Sequence, residues 1–219
     1  MTDTFRDVRD SIEEKARLAE ALVGAGRGAL VMAMLGAGWL GWGLGAAGVF
    51  NGLTGPVFGC TELFLVGCSI FVIRRGRQLR KEFPTVAAER RPMMRAFWGV
   101  VVVEVFALVV VSVLANRLGR SDRATDWCAM VAGLHFLPLA RIFRAPILLV
   151  LGIVMTLWCA LCWAVLRSNA LTIAVSVGMG LMLWAACVSA LLQARRFERQ
   201  LLAFRQVARS SAPKNHDEP

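Results

Sequence analysis

Residues 96–115 read AFWGVVVVEVFALVVVSVLA. The stretch holds one charge, Glu104, and is flanked by Arg95 and Arg117. At 1.5 Å per residue a helix of this length spans ~30 Å, the thickness of a hydrocarbon layer. A surface helix of an aqueous domain carries a polar face. This stretch has none, so it belongs in lipid.

Working outward, residues 28–50, 56–73, 145–166 and 170–193 repeat the pattern, and 125–143 is a weaker version of it. In 125–143 the uncharged part runs only from Trp127 to Ala140, a length that also suits a re-entrant or interfacial segment. The chain as a whole is 57% hydrophobic with a mean hydropathy of +0.60, above the ~45–50% apolar content of soluble domains. The sequence therefore predicts an all-α, polytopic membrane bundle over 28–193. Residues 1–27 flank it as a cytoplasmic amphipathic helix, and 194–219 as a basic helix with a disordered tail from Ala212.

The basic residues set the orientation. If both termini face the cytoplasm and all six segments cross, 21 of the 25 Lys and Arg fall inside; Arg117, Arg120, Arg123 and Arg167 fall outside. That split obeys the positive-inside rule. Omitting the fourth segment would invert the fifth and sixth and put the basic C-terminal stretch outside. The charge distribution thus argues for six transmembrane helices, N-in and C-in.

The bases lie at the edges of apolar blocks, where anionic lipid heads attract them. The richest cluster, Arg74 to Arg95, is expected to lie along the inner leaflet with Pro84 and Pro92 as breakers. No basic segment has the interleaved aromatics of a nucleic-acid module, so the net charge of +10 is assigned to lipid and no nucleic acid is expected. The first 27 residues are too long and too acidic for a cleavable signal peptide. Phe5, Val8, Ile12, Ala16, Ala19 and Val23 give them helical periodicity, with Thr4 and Asp7 suited to the N-terminus. After Gln193 the sixth helix should continue, with Phe197, Leu201 and Phe204 on one side.

Trp98, Trp127 and Trp163 fall near span ends, where indoles favour the interface. Trp39 and Trp42 fall mid-span. Opposite them Ala33, Ala37, Gly41 and Gly45 form a small-residue ridge that lets helices approach closely, within one bundle or in a homodimer. Three plus three spans would also suit an inverted repeat, but the halves show no internal similarity.

The strongly polar ionisable groups singled out in the spans are Glu62, Glu104 and His135. An intramembrane charge costs ~2.5–3.5 kcal/mol on insertion scales, so such residues need a reason to be there. Glu104 and His135 fall near mid-depth and Glu62 in the outer half, and all three are expected to border one cavity. Pro138 has no N–H for the carbonyl of Leu134, which predicts a helix break beside His135. These residues suit a proton or cation relay, or a polar site for a small solute; a Glu104–His135 pair that only fastens two helices is the simpler alternative.

Cys60, Cys68, Cys128, Cys159, Cys162 and Cys187 all lie in apolar blocks and read as small fillers. The Cys159-Ala160-Leu161-Cys162 motif lies mid-helix, where thiolates are disfavoured. With Met155 one turn earlier, a Cu(I) site is the minor alternative. No catalytic residues, metal ligands or cofactor fingerprint stand out, so an enzyme is the third choice.

The run Val131-Ala132-Gly133-Leu134-His135-Phe136-Leu137-Pro138-Leu139-Ala140-Arg141 resembles a Gly-x-His-Phe-x-Pro signature of small bacterial multi-span membrane proteins, a group with no assigned activity. The resemblance covers the fourth segment and extends to Glu104 in the third. It implies a shared fold and a functional His135. A bacterial cytoplasmic membrane is the expected location, and 22 Arg against 3 Lys fit a GC-rich genome. The first expectation for function is transport or permeation of a proton, ion or small solute, with a homodimer completing the pathway. The second is a non-transporting sensor, scaffold or assembly factor acting through its cytoplasmic helices.

Overall fold

The computed structural model describes residues 2–81, 90–120 and 123–210. They form six helices: α1 Thr2–Ala46, α2 Thr54–Lys81, α3 Arg90–Arg117, α4 Ala124–Phe143, α5 Pro146–Val165 and α6 Ser168–Ser210. Five of them (α1, α2, α3, α5 and α6) are long and apolar enough to cross a membrane. α4 is not among these. It is 20 residues long, but Asp126, His135, Pro138 and Arg141 interrupt its apolar run.

The helix ends follow from local chemistry. α1 stops at Ala46 because Gly48 takes a left-handed φ of 66°, which lets Val49 N–H donate to Leu44 O at 3.1 Å in a glycine C-cap. The first apolar helix therefore ends four residues short of the expected Phe50. Asn51 then caps α2: its Oδ1 accepts from the N–H groups of Leu53 and Thr54 at 3.0 and 2.9 Å, and its own N–H donates to Thr54 Oγ1 at 3.0 Å. This reciprocal pairing is a capping box in form. Gly119 at φ 65° ends α3 as Gly48 ends α1, with Arg120 N–H donating to Ala115 O at 2.8 Å.

α1 and α6 are the frame. α1 has 45 residues and α6 has 43, each ~65 Å long at 1.5 Å per residue and twice what a bilayer needs. They run antiparallel over most of their length, and Asn169 Nδ2 at the start of α6 donates to Ala46 O at the end of α1 at 3.2 Å. The buried face of α1 is Ala19, Leu22, Gly26, Ala29, Ala33, Gly36, Leu40 and Gly43, an alternation of three and four that keeps one seam turned to its partner. At the centre the two backbones touch. A Cβ on Gly180 would lie 2.8 Å from Gly36 O and 2.7 Å from Leu40 N.

The expected small-residue ridge therefore has the wrong register beyond Ala33. A strict four-residue step drifts around the helix. Ala37 and Gly41 are half-buried and Gly45 is exposed, with Gly41 nearest Phe58 of α2.

α2 packs on α1 and α6, α3 on α4, α4 on α5, and α5 and α4 on α6. The main core lies among α4, α5 and α6, around Phe136, Met155, Val175, Met179 and Leu183. A second core, Ala19, Leu22, Leu79, Ala194 and Leu201, sits where α1, α2 and α6 continue past their apolar stretches. Here two expectations change. Residues 2–27 are not a separate helix but the first part of α1. Residues 74–81 do not turn away along a leaflet: they continue α2, with Gly76 against Val23 and Arg75 Nε 3.0 Å from Glu198 Oε1. Pro92 is no breaker either, since it stands in the first turn of α3, where its missing N–H costs nothing. Pro84 and the tail from Ala212 lie outside the described residues.

Of the expected N-terminal stripe, Ala16, Ala19 and Val23 are buried; the side chains of Phe5, Val8 and Ile12 lie outside the described set. On α6, Leu201 is buried and Phe197 packs beside it, while Lys15 Nζ sits 5.7 Å over the Phe204 ring.

The exterior is apolar. Leu63, Phe64, Phe71, Val103, Phe106 and Val165 are each at least 65% exposed. Water does not tolerate a continuous apolar surface of this kind; hydrocarbon requires one. α3 shows it most fully, since none of its most apolar stretch is buried.

Candidate functional site

α3 touches α4 along one narrow stripe, on which Glu104 and Ser112 of α3 meet His135 and Cys128 of α4. Near the C-terminal end of α3, Ser112 Oγ is 3.8 Å from Cys128 Sγ, early in α4. Eight residues back along α3 and seven forward along α4, the antiparallel register brings Glu104 to His135. Oε2 and Nδ1 lie 3.0 Å apart, within ion-pair distance but without the alignment of a hydrogen bond. The side chains keep 22% and 11% of their exposure, so the pair borders the α3–α4 crevice and is not sealed in the core. The His135 ring also meets Phe136 edge-on, with centroids 5.4 Å apart.

Pro138 stands inside α4, which continues as one helix to Phe143. The expected break does not occur. Proline withdraws one backbone donor, and packing against α5 holds the helix on both sides of it. Gly133 and Gly152 make that contact close: a Cβ on Gly152 would lie 3.0 Å from Gly133 O.

Glu62 is elsewhere. It projects from α2 toward α6, where the Trp184 indole N–H faces it, though neither Glu62 Oε2 nor Trp184 Nε1 has an aligned hydrogen-bond partner. Phe58 stacks on the same indole with centroids 5.7 Å apart. The expected meeting of three residues therefore resolves into a pair on α3 and α4 and a separate carboxylate on α2. A cleft of about 450 Å³ opens between α1, α3 and α4, and none of the three lines it.

Two residues escaped the sequence reading. Trp184 carried no sign of a polar role, because the carboxylate it faces is 122 residues away in the sequence. Asp126 is buried in the first turn of α4, on the same face as Ala129 and Gly133. An acid in a first turn is favoured by the helix dipole, and that was the available signal.

All six cysteines are free. Cys159 and Cys162 are buried at the α5–α6 contact, with Cys159 Sγ 3.8 Å from Met179 Sδ. Among the described residues, no group of three or more His, Cys, Asp or Glu is placed to hold a metal ion. The arrangement offers one carboxylate–imidazole pair able to take up and release a proton within the apolar part of the molecule. The same contact spans the gap between α3 and α4. Comparison with protein-family models, with curated proteins and with solved structures finds no match to this chain.

Proposed function

We propose that the chain is a six-span protein of a bacterial cytoplasmic membrane, with both ends inside, that passes a proton, ion or small solute through the Glu104–His135 contact. The reading rests on one observation, the 3.0 Å approach of these groups between the apolar α3 and the weaker apolar run of α4. An intramembrane ionisable residue is expensive, and such residues mark proton and substrate pathways. The pair is partly accessible and is held by the least enclosed helix, so protonation of the carboxylate weakens the attraction that keeps α3 against α4. Glu62 is left to a separate role. A pathway confined to one narrow crevice is short of walls, and a homodimer supplies them.

The test is a flux assay in sealed vesicles. Intact protein should dissipate an imposed pH gradient, Glu104→Gln and His135→Ala should each slow it at least tenfold, and Glu62→Gln should have little effect. Equal rates for intact protein and both variants would leave the contact as a fastening only.

A second reading has its own support. α1, α2 and α6 continue as a packed stem past their apolar stretches, around Leu22, Leu79 and Leu201. A stem of this kind suits a scaffold or sensor that engages a cytoplasmic partner. A chain that carries no flux, yet loses its cellular role when Leu79 and Leu201 are made polar, would support that reading.

A further inference from the structure

Trp39 and Trp42 are large amphipathic side chains on the apolar part of α1; Trp39 packs partly against the main core, and the polar pair uses neither. Both line the cleft between α1, α3 and α4, with Met34 beside them on α1, Ser112 on α3, and Thr125 and Cys128 on α4. Trp42 is 60% exposed and Met34 63%, so the cleft opens sideways to the surroundings of the helices. Its volume of about 450 Å³ is that of a small-molecule site.

The cleft has the dimensions of one leaflet. Taken from Ala46 at the end of α1, Trp42 lies ~6 Å and Met34 ~18 Å along the helix, against ~15 Å for half a hydrocarbon layer. Its lining is mostly apolar: the Ser112 hydroxyl is spent on Leu108 O at 2.8 Å, and Met34, Leu35, Gly38 and Ala124 bring no polar side chain.

The mouth is different. Arg117 ends α3, and Arg120 and Arg123 close the turn into α4, joined by an Arg123 N–H to Arg120 O bond of 2.9 Å. Arg117 and Arg120 are exposed and Arg123 half-buried; Ala124 and Thr125, the next two residues, are cleft wall. Two acids share this stretch. Asp126 is buried inside the protein, and Asp122 lies outside the described residues, so three arginines outnumber the acids at the rim.

We propose that the cleft seats one acyl chain of an anionic phospholipid, with its phosphate held by Arg120 and Arg123. An apolar slot one leaflet deep, open to the side and cationic at its mouth, matches a lipid in both parts. Arginine is the residue best suited to phosphate oxygens. Nothing in this requires knowing which membrane face the mouth occupies, and it does not depend on the flux reading.

The test uses the full chain in phosphatidylcholine vesicles containing a small fraction of phosphatidylglycerol with a photoreactive group on its acyl chain. Labelling should concentrate on peptides holding Trp39, Trp42 and Cys128. The same reactive chain on phosphatidylcholine should label them about tenfold less, since each arginine near an anionic lipid contributes a several-fold preference. The double variant Arg120→Ala/Arg123→Ala should erase that preference. Gly38 has open space where a Cβ would stand, so Gly38→Phe should fill the slot and abolish labelling by both probes. Gly67→Phe, equally unobstructed but on α2, should leave labelling intact and shows that an added ring does not itself unfold the chain. Equal labelling by the two lipids, or undiminished labelling of Gly38→Phe, overturns the proposal.

Discussion

The two sides of this molecule are built on different terms. On one side α1 and α6 meet along a seam of glycine, alanine and leucine, continuous enough that their backbones touch at Gly36 and Gly180. On the other, α3 leans on α4 by a thin stripe and shows most of its valines to the outside. In lipid there is no water to drive apolar faces together, so close packing of small residues and polar contacts between helices do the joining. The seam uses the first device and the α3–α4 crevice leans on the second. Opening free energy is expected to follow contact density, which makes α3 the mobile wall and α1–α6 the fixed one.

The comparison is broken most severely by Gly180→Leu. A side chain there has no room beside Gly36 O and Leu40 N, and overpacking a tight contact typically costs ~1–3 kcal/mol or more; a fall in thermal midpoint in detergent should report the upper end or beyond. His135→Leu tests the other side. Leaving Glu104 unpaired should destabilise by ~1–3 kcal/mol, whereas the double variant His135→Leu/Glu104→Leu should recover most of that loss. If the double variant is as unstable as the single one, the contact does not join the helices. Gly119→Ala places a side chain on a left-handed residue with no clash around it, so it should cost about 1 kcal/mol from backbone strain alone, read as a small shift in the same melt. The smallest effect belongs to Arg75 and Glu198. Their pair is half-buried, with side chains 38% and 27% exposed, and a double-mutant cycle should give about 1 kcal/mol or less, reduced in high salt.

Much of the frame was visible in the residues. The block at 96–115 and its neighbours had to be helices. The ends of α1 and α2 were misjudged because charge was taken to mean that a helix leaves its neighbours. Arg75 and Glu198 show otherwise, each meeting the other while Leu79 fills the core beside them. The site was half legible. Glu104 and His135 were marked by being ionisable inside apolar runs, but depth along a helix says nothing about which way a side chain faces. Glu62, expected in the outer half but bordering the same cavity, points at a different helix. Pro138 predicts a break from one missing hydrogen bond, while the glycine contact with α5 that accompanies a continuous α4 is a property of two helices together.

The seam between α1 and α6 joins residues that stand 123 positions apart, as Ala46 and Asn169 do. During synthesis α1 must therefore wait in the bilayer, its glycine stripe bare, until nearly the whole chain has been made. The longest interface is the last to close, and contacts of such separation form slowly. A ribosome that stalls before Ser168 leaves behind a helix covered by α2 alone, with Gly36 and Gly43 bare, a species apt to be captured by quality control.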